Sequence, residues 1–193
     1  RKKAIAKTTI LHTLGLVDSE WKIDSTSSTH KMLSPTFLVD GIYKSMEGPQ
    51  ASRYIQLSDA EDLLWITGFD IKAVDAETNT RLSNDFICHM NVDINDANYY
   101  SHWDLKERIG KQFPRLTSLS NGFITSNFPN GYGVPIKGND FLYITSQVLN
   151  HNEVSIFKKL KHEVTITHEP YNGRQKPLMS KTVFIQLPYN AEN

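Results

Sequence analysis

The sequence predicts an all-β protein, an antiparallel β-sandwich or jelly roll with an N-terminal extension. Two observations support this fold class. Short runs rich in β-branched and aromatic residues recur from residue 31 onward, and turns rich in Gly, Pro and Asn separate them. Regular spacing of such strands, without an internal repeat, is typical of sandwiches and jelly rolls.

The first 30 residues differ in pattern from the rest. Apolar residues between Ile5 and Leu16 predict a short amphipathic helix that ends at Gly15 or at the turn 17–19. The stretch 24–30 is rich in Ser and Thr and predicts a linker. We therefore expect an extension or arm over 1–30 and a sandwich domain over 31–193. The alternative is an arm that packs on the same domain.

The centre of the predicted sandwich is the segment 63–94. Two apolar runs, 63–73 and 86–94, flank the polar, turn-forming insert 75–80. This arrangement predicts one long β-hairpin, in which the second run carries Cys88, His89 and Met90.

The remaining elements follow from the same rules. The segment 91–115 is polar and predicts a long loop with a brief helical turn over 104–109. Its aromatic residues either fasten the loop to the core or line a carbohydrate or peptide groove. They are Tyr99, Tyr100, Trp103 and Phe113. Further strands are predicted over 35–39, 51–57, 141–149, 159–168 and 182–187, with a turn-rich stretch over 128–136.

Composition excludes several classes of protein. Among 193 residues, 21 basic and 21 acidic side chains cancel, so we expect no broad attraction to nucleic acid. No apolar run approaches the ~18 residues of a membrane span. One Cys excludes an intrachain disulfide. The motifs of serine hydrolases, P-loop proteins and zinc proteases are absent.

The chain begins with basic residues, without Met and without the apolar core of a signal peptide. We expect either a product that is mature after processing or a fragment of a longer chain.

Four residues are candidate metal ligands: Cys88, His89, His151 and His168. Each His lies in or next to an apolar strand, and sulfur and imidazole ligands together favour Cu(I). In a regular strand Cys88 and His89 point to opposite faces, so they can share an ion only if a β-bulge intervenes. The alternative is that these residues are structural or lie on the surface.

The order of three segments resembles the copper type II ascorbate-dependent monooxygenases, their bacterial relatives and the stress-upregulated nodulin-like proteins. The segments are 34–37, 66–76 and 86–91, which reads Phe-Ile-Cys-His-Met-Asn. The resemblance implies a jelly-roll fold and a copper site. The family has a His-His pair followed by Met at the third segment. Cys88 takes the first His position here, and His89 matches the second.

The same resemblance implies a further ligand in a Gln-Val-His context. This chain has Gln147-Val148-Leu149 there, and His151 is displaced by two residues. The likeness spans residues 32–168. The second copper domain of the family and its His-x-His pair are absent from this sequence.

Two functional hypotheses follow. In the first, the chain is a single monooxygenase-like domain that acts as a non-catalytic binding or assembly subunit. It is exported to the periplasm, cell surface or medium, and it retains at most one copper ion. In the second, it is a copper-dependent redox enzyme that a partner chain completes, with copper on His89, His151 and Cys88. Both hypotheses expect other protein subunits as partners.

Overall fold

The computed structural model describes residues 2–180, so the predicted strand 182–187 lies outside the described residues. This range contains the helices α1 (Lys2–Thr13) and α2 (Asp96–His102) and two short 3₁₀ turns, Asn84–Phe86 and Lys106–Arg108. Neither described helix is long and apolar enough to cross a membrane. The strands are β1 (Lys22–Ser25), β2 (Thr29–Leu33), β3 (Phe37–Val39), β4 (Gln50–Ile55), β5 (Leu63–Asp75), β6 (Ile87–Ile94), β7 (Arg115–Ser120), β8 (Thr125–Asn127), β9 (Tyr132–Lys137), β10 (Leu142–Val148), β11 (Lys158–Pro170) and β12 (Lys176–Pro177).

The strands form two sheets. The larger sheet has the order β1-β2-β11-β5-β9-β12, with β3 paired to β11 and β8 paired to β5. The smaller sheet has the order β4-β10-β6-β7. In the described part of the chain, every pairing between these strands is antiparallel except that of β9 with β12. The predicted all-β antiparallel sandwich is therefore confirmed.

One face of each central strand is apolar, and these faces pack together as the core. In β11, Leu160, Val164 and Ile166 are fully buried and alternate with residues that are largely less buried. In β6, Met90 and Val92 are buried in the same way. Burial of one such side chain contributes roughly 1.5–3 kcal/mol. The continuous core cluster is therefore the main source of stability.

The predicted hairpin over 63–94 is wrong, because β5 and β6 lie in different sheets. After β5 the chain reverses direction, and an isolated antiparallel bridge pairs Val74 with Arg81. The Asp75 carboxylate closes this turn by accepting two backbone hydrogen bonds. The first 3₁₀ turn follows, and β6 then begins in the smaller sheet. Apolar runs that face each other across a core have the same pattern as paired strands.

The N-terminal helix is confirmed, and Gly15 follows its end with a φ of 65°. The predicted linker over 24–30 is wrong, because β1 and β2 form a hairpin in which Ser25 is opposite His30. Short Ser/Thr side chains favour tight turns as readily as linkers.

Trp21 is buried, and Asp18 pairs with Lys161 of β11. The described part of the arm therefore packs on the sandwich, which was the alternative.

The prediction of one long loop over 91–115 is wrong. Residues up to 94 continue β6, and α2 then begins where the Asn95 side chain accepts the backbone N–H of Asn98 at 3.0 Å. Tyr99 and Tyr100 are buried and fasten this helix to the core. The predicted helical turn over 104–109 corresponds to the second 3₁₀ turn.

The stretch 128–136 contains a turn, as predicted, but most of its second half belongs to β9. Gly131 has a φ of 79° and marks the turn directly before the strand. Pro135 is opposite Trp65 of β5, near the border of the larger sheet. Proline is tolerated near a sheet edge, where one ladder hydrogen bond is dispensable.

Candidate functional site

The predicted metal-ligand segment lies at an irregularity of β6. Ile87 is opposite Val148 and His89 is opposite Gln147, so Cys88 is an extra residue that forms a β-bulge. In a regular strand the side chains of Cys88 and His89 would point to opposite faces of the sheet. The bulge instead brings the Cys88 Sγ to 3.4 Å from the His89 Nδ1. Two of the four predicted ligands therefore converge.

The surroundings of this pair are polar and partly buried. The Ser45 hydroxyl lies 4.0 Å from the Cys88 Sγ. Gln147 donates its Nε2 hydrogen to the Gly48 carbonyl at 2.8 Å, while its buried Oε1 has no partner in the described chain. Burial and, to a smaller extent, the charge of Arg115 lower the pKa of His89. Both effects favour the neutral imidazole, which is the form that binds metal ions.

The other two predicted ligands lie elsewhere. His168 belongs to β11 of the larger sheet, where its Nε2 lies 3.1 Å from the Nδ1 of buried His30. Burial lowers the pKa of both rings. His151 is exposed in the segment between β10 and β11. Its neighbour Asn152 donates to Asp85 of the first 3₁₀ turn at 3.2 Å.

The four predicted ligands are thus distributed over three places. Among residues 2–180, no group of three or more His, Cys, Asp or Glu side chains is arranged to hold a metal ion. Cys88 and His89 supply two donors of the kind that Cu(I) prefers. A copper site on this pair needs further donors, so the metal site stays a prediction.

A histidine that the sequence analysis did not single out joins the two sheets. His162 is fully buried, and its Nδ1 is hydrogen-bonded to the Ser146 hydroxyl of β10. Its Nε2 donates to the Phe86 carbonyl at 3.2 Å. Burial lowers the pKa of His162 to about 4, so the ring is neutral near pH 7. Because no solvent reaches it, this histidine is a structural residue.

The outer face of the smaller sheet carries an aromatic groove of about 550 Å³. Tyr54 of β4 is 64% exposed and Phe141, next to β10, is 54% exposed. The Tyr54 ring lies 4.7 Å from that of Tyr143 and 6.4 Å from that of Phe141. The remaining lining residues are Asp93, Ile94, Asn95 and Asn98. This aromatic groove combines exposed rings with carboxylate and amide groups.

The sequence analysis missed the aromatic groove, although one signal was present. Tyr54 and Tyr143 lie in strand positions that alternate with buried Ile55, Leu142 and Ile144. A contiguous patch of exposed aromatic side chains often marks a binding surface, whereas a single exposed ring does not. The register that places the two rings side by side cannot be read from either strand alone.

A second cavity, of about 490 Å³, lies at the other sheet, and we call it the tryptophan pocket. Its apolar wall includes Trp65, Trp103 and Tyr171, and the Tyr171 ring stacks on Trp65 at 5.6 Å. His102 also lines it, with its Nε2 3.3 Å from buried Asp140. Trp103, one of the aromatic residues of the segment 91–115, lines this cavity and also packs against the core.

These places, the Cys88–His89 pair, the aromatic groove and the tryptophan pocket, are the candidate sites of the described chain. The likeness to copper monooxygenases depends on sequence order alone, and it stays a prediction. We compared the chain with family models, with curated proteins and with solved structures, and none of these comparisons gave a match.

Proposed function

We propose that this chain is a non-catalytic binding domain, and that its ligand is a saccharide held in the aromatic groove. The observation that supports this function is the cluster of Tyr54, Tyr143 and Phe141 on an otherwise polar sheet face. Exposed aromatic rings attract the weakly positive C–H groups of a sugar ring through their negative π faces. Nearby polar groups can then bind the hydroxyls.

The polar groups of the groove suit hydroxyl recognition. Asp93 forms an ion pair with Arg115 at 2.7 Å, which fixes the carboxylate at the sheet face. The Asn98 side chain is exposed and lines the groove. Carboxylates accept and amides both donate and accept, so together they match the mixed character of sugar hydroxyls.

Tyr54→Ala should weaken saccharide binding by about tenfold or more, because the exposed ring supplies much of the stacking surface. Affinity electrophoresis in gels that contain soluble xylan, mixed-linkage β-glucan or galactomannan measures this directly as loss of retardation. Phe157→Ala is the matched control, since Phe157 is 74% exposed but lies outside the groove. The proposal fails if no polysaccharide retards the wild type, or if both variants behave alike.

Assembly with other protein subunits and export of the chain remain predictions of the same proposal. A domain that binds a polysaccharide is expected where polysaccharides occur, which agrees with the predicted location outside the cytoplasm.

One observation favours a second candidate, a copper-binding function at the Cys88–His89 pair. A sulfur and a nitrogen ligand of one tetrahedral ion lie roughly 3.5 Å apart at usual zinc distances. The observed separation of 3.4 Å is close to this value. A further donor from a partner chain would complete the site, as the hypothesis of a redox enzyme requires.

If this second function is present, titration with Cu(I) against a competing chelator should show one bound ion per chain. Cys88→Ser and His89→Ala should each abolish Cu(I) binding, because each removes one of the two donors that this chain supplies to the ion. His151→Ala is the control and should bind as the wild type does, since exposed His151 does not form a metal-holding group with Cys88 and His89. Absence of binding in the wild type would remove this candidate.

A further inference from the structure

The tryptophan pocket has a chemistry that differs from that of the aromatic groove. Its wall is mainly apolar, from Leu63, Trp65, Trp103, Pro135 and Ile136. No Asp or Glu belongs to its described lining. A volume of about 490 Å³ is that of a site for a small organic molecule.

The polar side chains of the lining are His102, Lys137 and Gln175, and Lys137 supplies an ammonium group to an anionic ligand. Lys137 lines the pocket, and its Nζ is held at 3.2 Å by Glu61, which is 72% exposed at its side chain and lies outside the lining. An exposed ion pair of this kind contributes only about 0–1 kcal/mol, so another anion can replace Glu61. The cation is therefore available to a ligand.

A second donor lies in the wall. Trp65 is 4% exposed, and its indole Nε1 is buried with no acceptor in the described part of the chain. A buried donor without a partner costs roughly 1–3 kcal/mol. Tyr171, which stacks on Trp65, is 50% exposed, so a ligand that reaches this N–H must displace the Tyr171 ring and take over its stacking. A ligand that supplies an acceptor there would recover this energy.

We propose that the tryptophan pocket binds a small aromatic carboxylate. The ring of the ligand packs against Trp65 and Trp103, while its carboxylate accepts from the Lys137 ammonium and the Trp65 indole N–H. Aromatic packing and a charge-assisted hydrogen bond are both strongest in a water-poor, apolar pocket. This site is separate from the aromatic groove, so it does not depend on the proposed saccharide function.

The chain contains three Trp, so ¹H–¹⁵N spectra of the full chain show three indole signals, which Trp→Phe variants assign. We expect 3-phenylpropionate to shift the Trp65 signal. The Trp21 signal should not move, because this indole is also buried without a partner but does not line the pocket. The neutral isostere 3-phenylpropanamide should bind about tenfold more weakly. Propionate, which lacks the ring, should bind more weakly still.

Lys137→Gln should weaken binding of 3-phenylpropionate by about tenfold and leave the affinity for 3-phenylpropanamide unchanged. Lys159→Gln is the control, because Lys159 pairs with Glu77 and does not line the pocket. Three results would overturn the proposal: no shift of the Trp65 signal, equal affinity for acid and amide, or equal effects of the two lysine variants.

Discussion

Gly48→Ala should lower the free energy of unfolding by at least about 3 kcal/mol, a large part of the stability of a single domain. A Cβ at this position would lie 2.0 Å from the Val148 carbonyl oxygen and 2.8 Å from its carbonyl carbon. Val148 belongs to the central strand β10, whose backbone cannot move without disturbing β4 and β6 on either side. The clash is with backbone, so no change of rotamer can relieve it.

Urea titration of the two variants Gly48→Ala and Gly41→Ala measures this effect against a matched control. Gly41 lies in the same segment between β3 and β4, and a Cβ there meets nothing within 4 Å. Gly41→Ala should therefore change the stability by less than about 1 kcal/mol. Equal stabilities of the two variants would show that the close approach of Gly48 to Val148 is not a constraint.

The Gly48→Ala variant should also affect the surroundings of Cys88 and His89. The Gly48 carbonyl accepts from Gln147, and Gln147 is opposite His89 in the sheet. Ser45 of the same segment lies beside Cys88. Displacing the segment therefore moves groups around Cys88 and His89 without changing either residue.

The elements that the sequence predicts correctly are those whose pattern is local. Alternation in β11 and the capping Gly15 each depend on residues close together in the chain, so the strand and the end of the helix follow from periodicity and backbone freedom. The fold class follows for the same reason, because it needs only the number and spacing of strands.

Strand pairing and the sites depend on contacts between distant segments. The runs around Trp65 and Met90 are equally apolar whether they pair or face each other, so the sequence could not distinguish a hairpin from two sheets. The bulge at Cys88 depends on the register of β6 against β10, and the periodicity of the sequence does not reveal this register. Tyr54 and Phe141 lie 6.4 Å apart although 87 positions separate them in the chain.

The stability of the protein should fall by about 3 kcal/mol as the pH is lowered from 6.5 to 4, through His162 alone. The pKa of this fully buried ring is lowered from 6.5 to about 4. In the unfolded chain the ring takes up a proton near pH 6.5, whereas in the folded chain it does so only near pH 4. The unfolded state therefore binds more protons in this interval, and acid favours unfolding. Well above pH 6.5 the ring is neutral in both states, and this residue then causes no pH dependence.

His162→Gln isolates this contribution, because glutamine keeps an N–H for the Phe86 carbonyl but does not titrate. We expect the variant to be less stable at pH 7 and to lose less stability between pH 6.5 and 4 than the wild type. Part of the slope will remain, since the pKa values of His30, His89 and His168 are lowered as well. Urea titrations at four pH values compare the two proteins, with exposed His151→Gln as the control. Parallel curves for the wild type and His162→Gln would contradict the assignment of this acid sensitivity to the link between the two sheets.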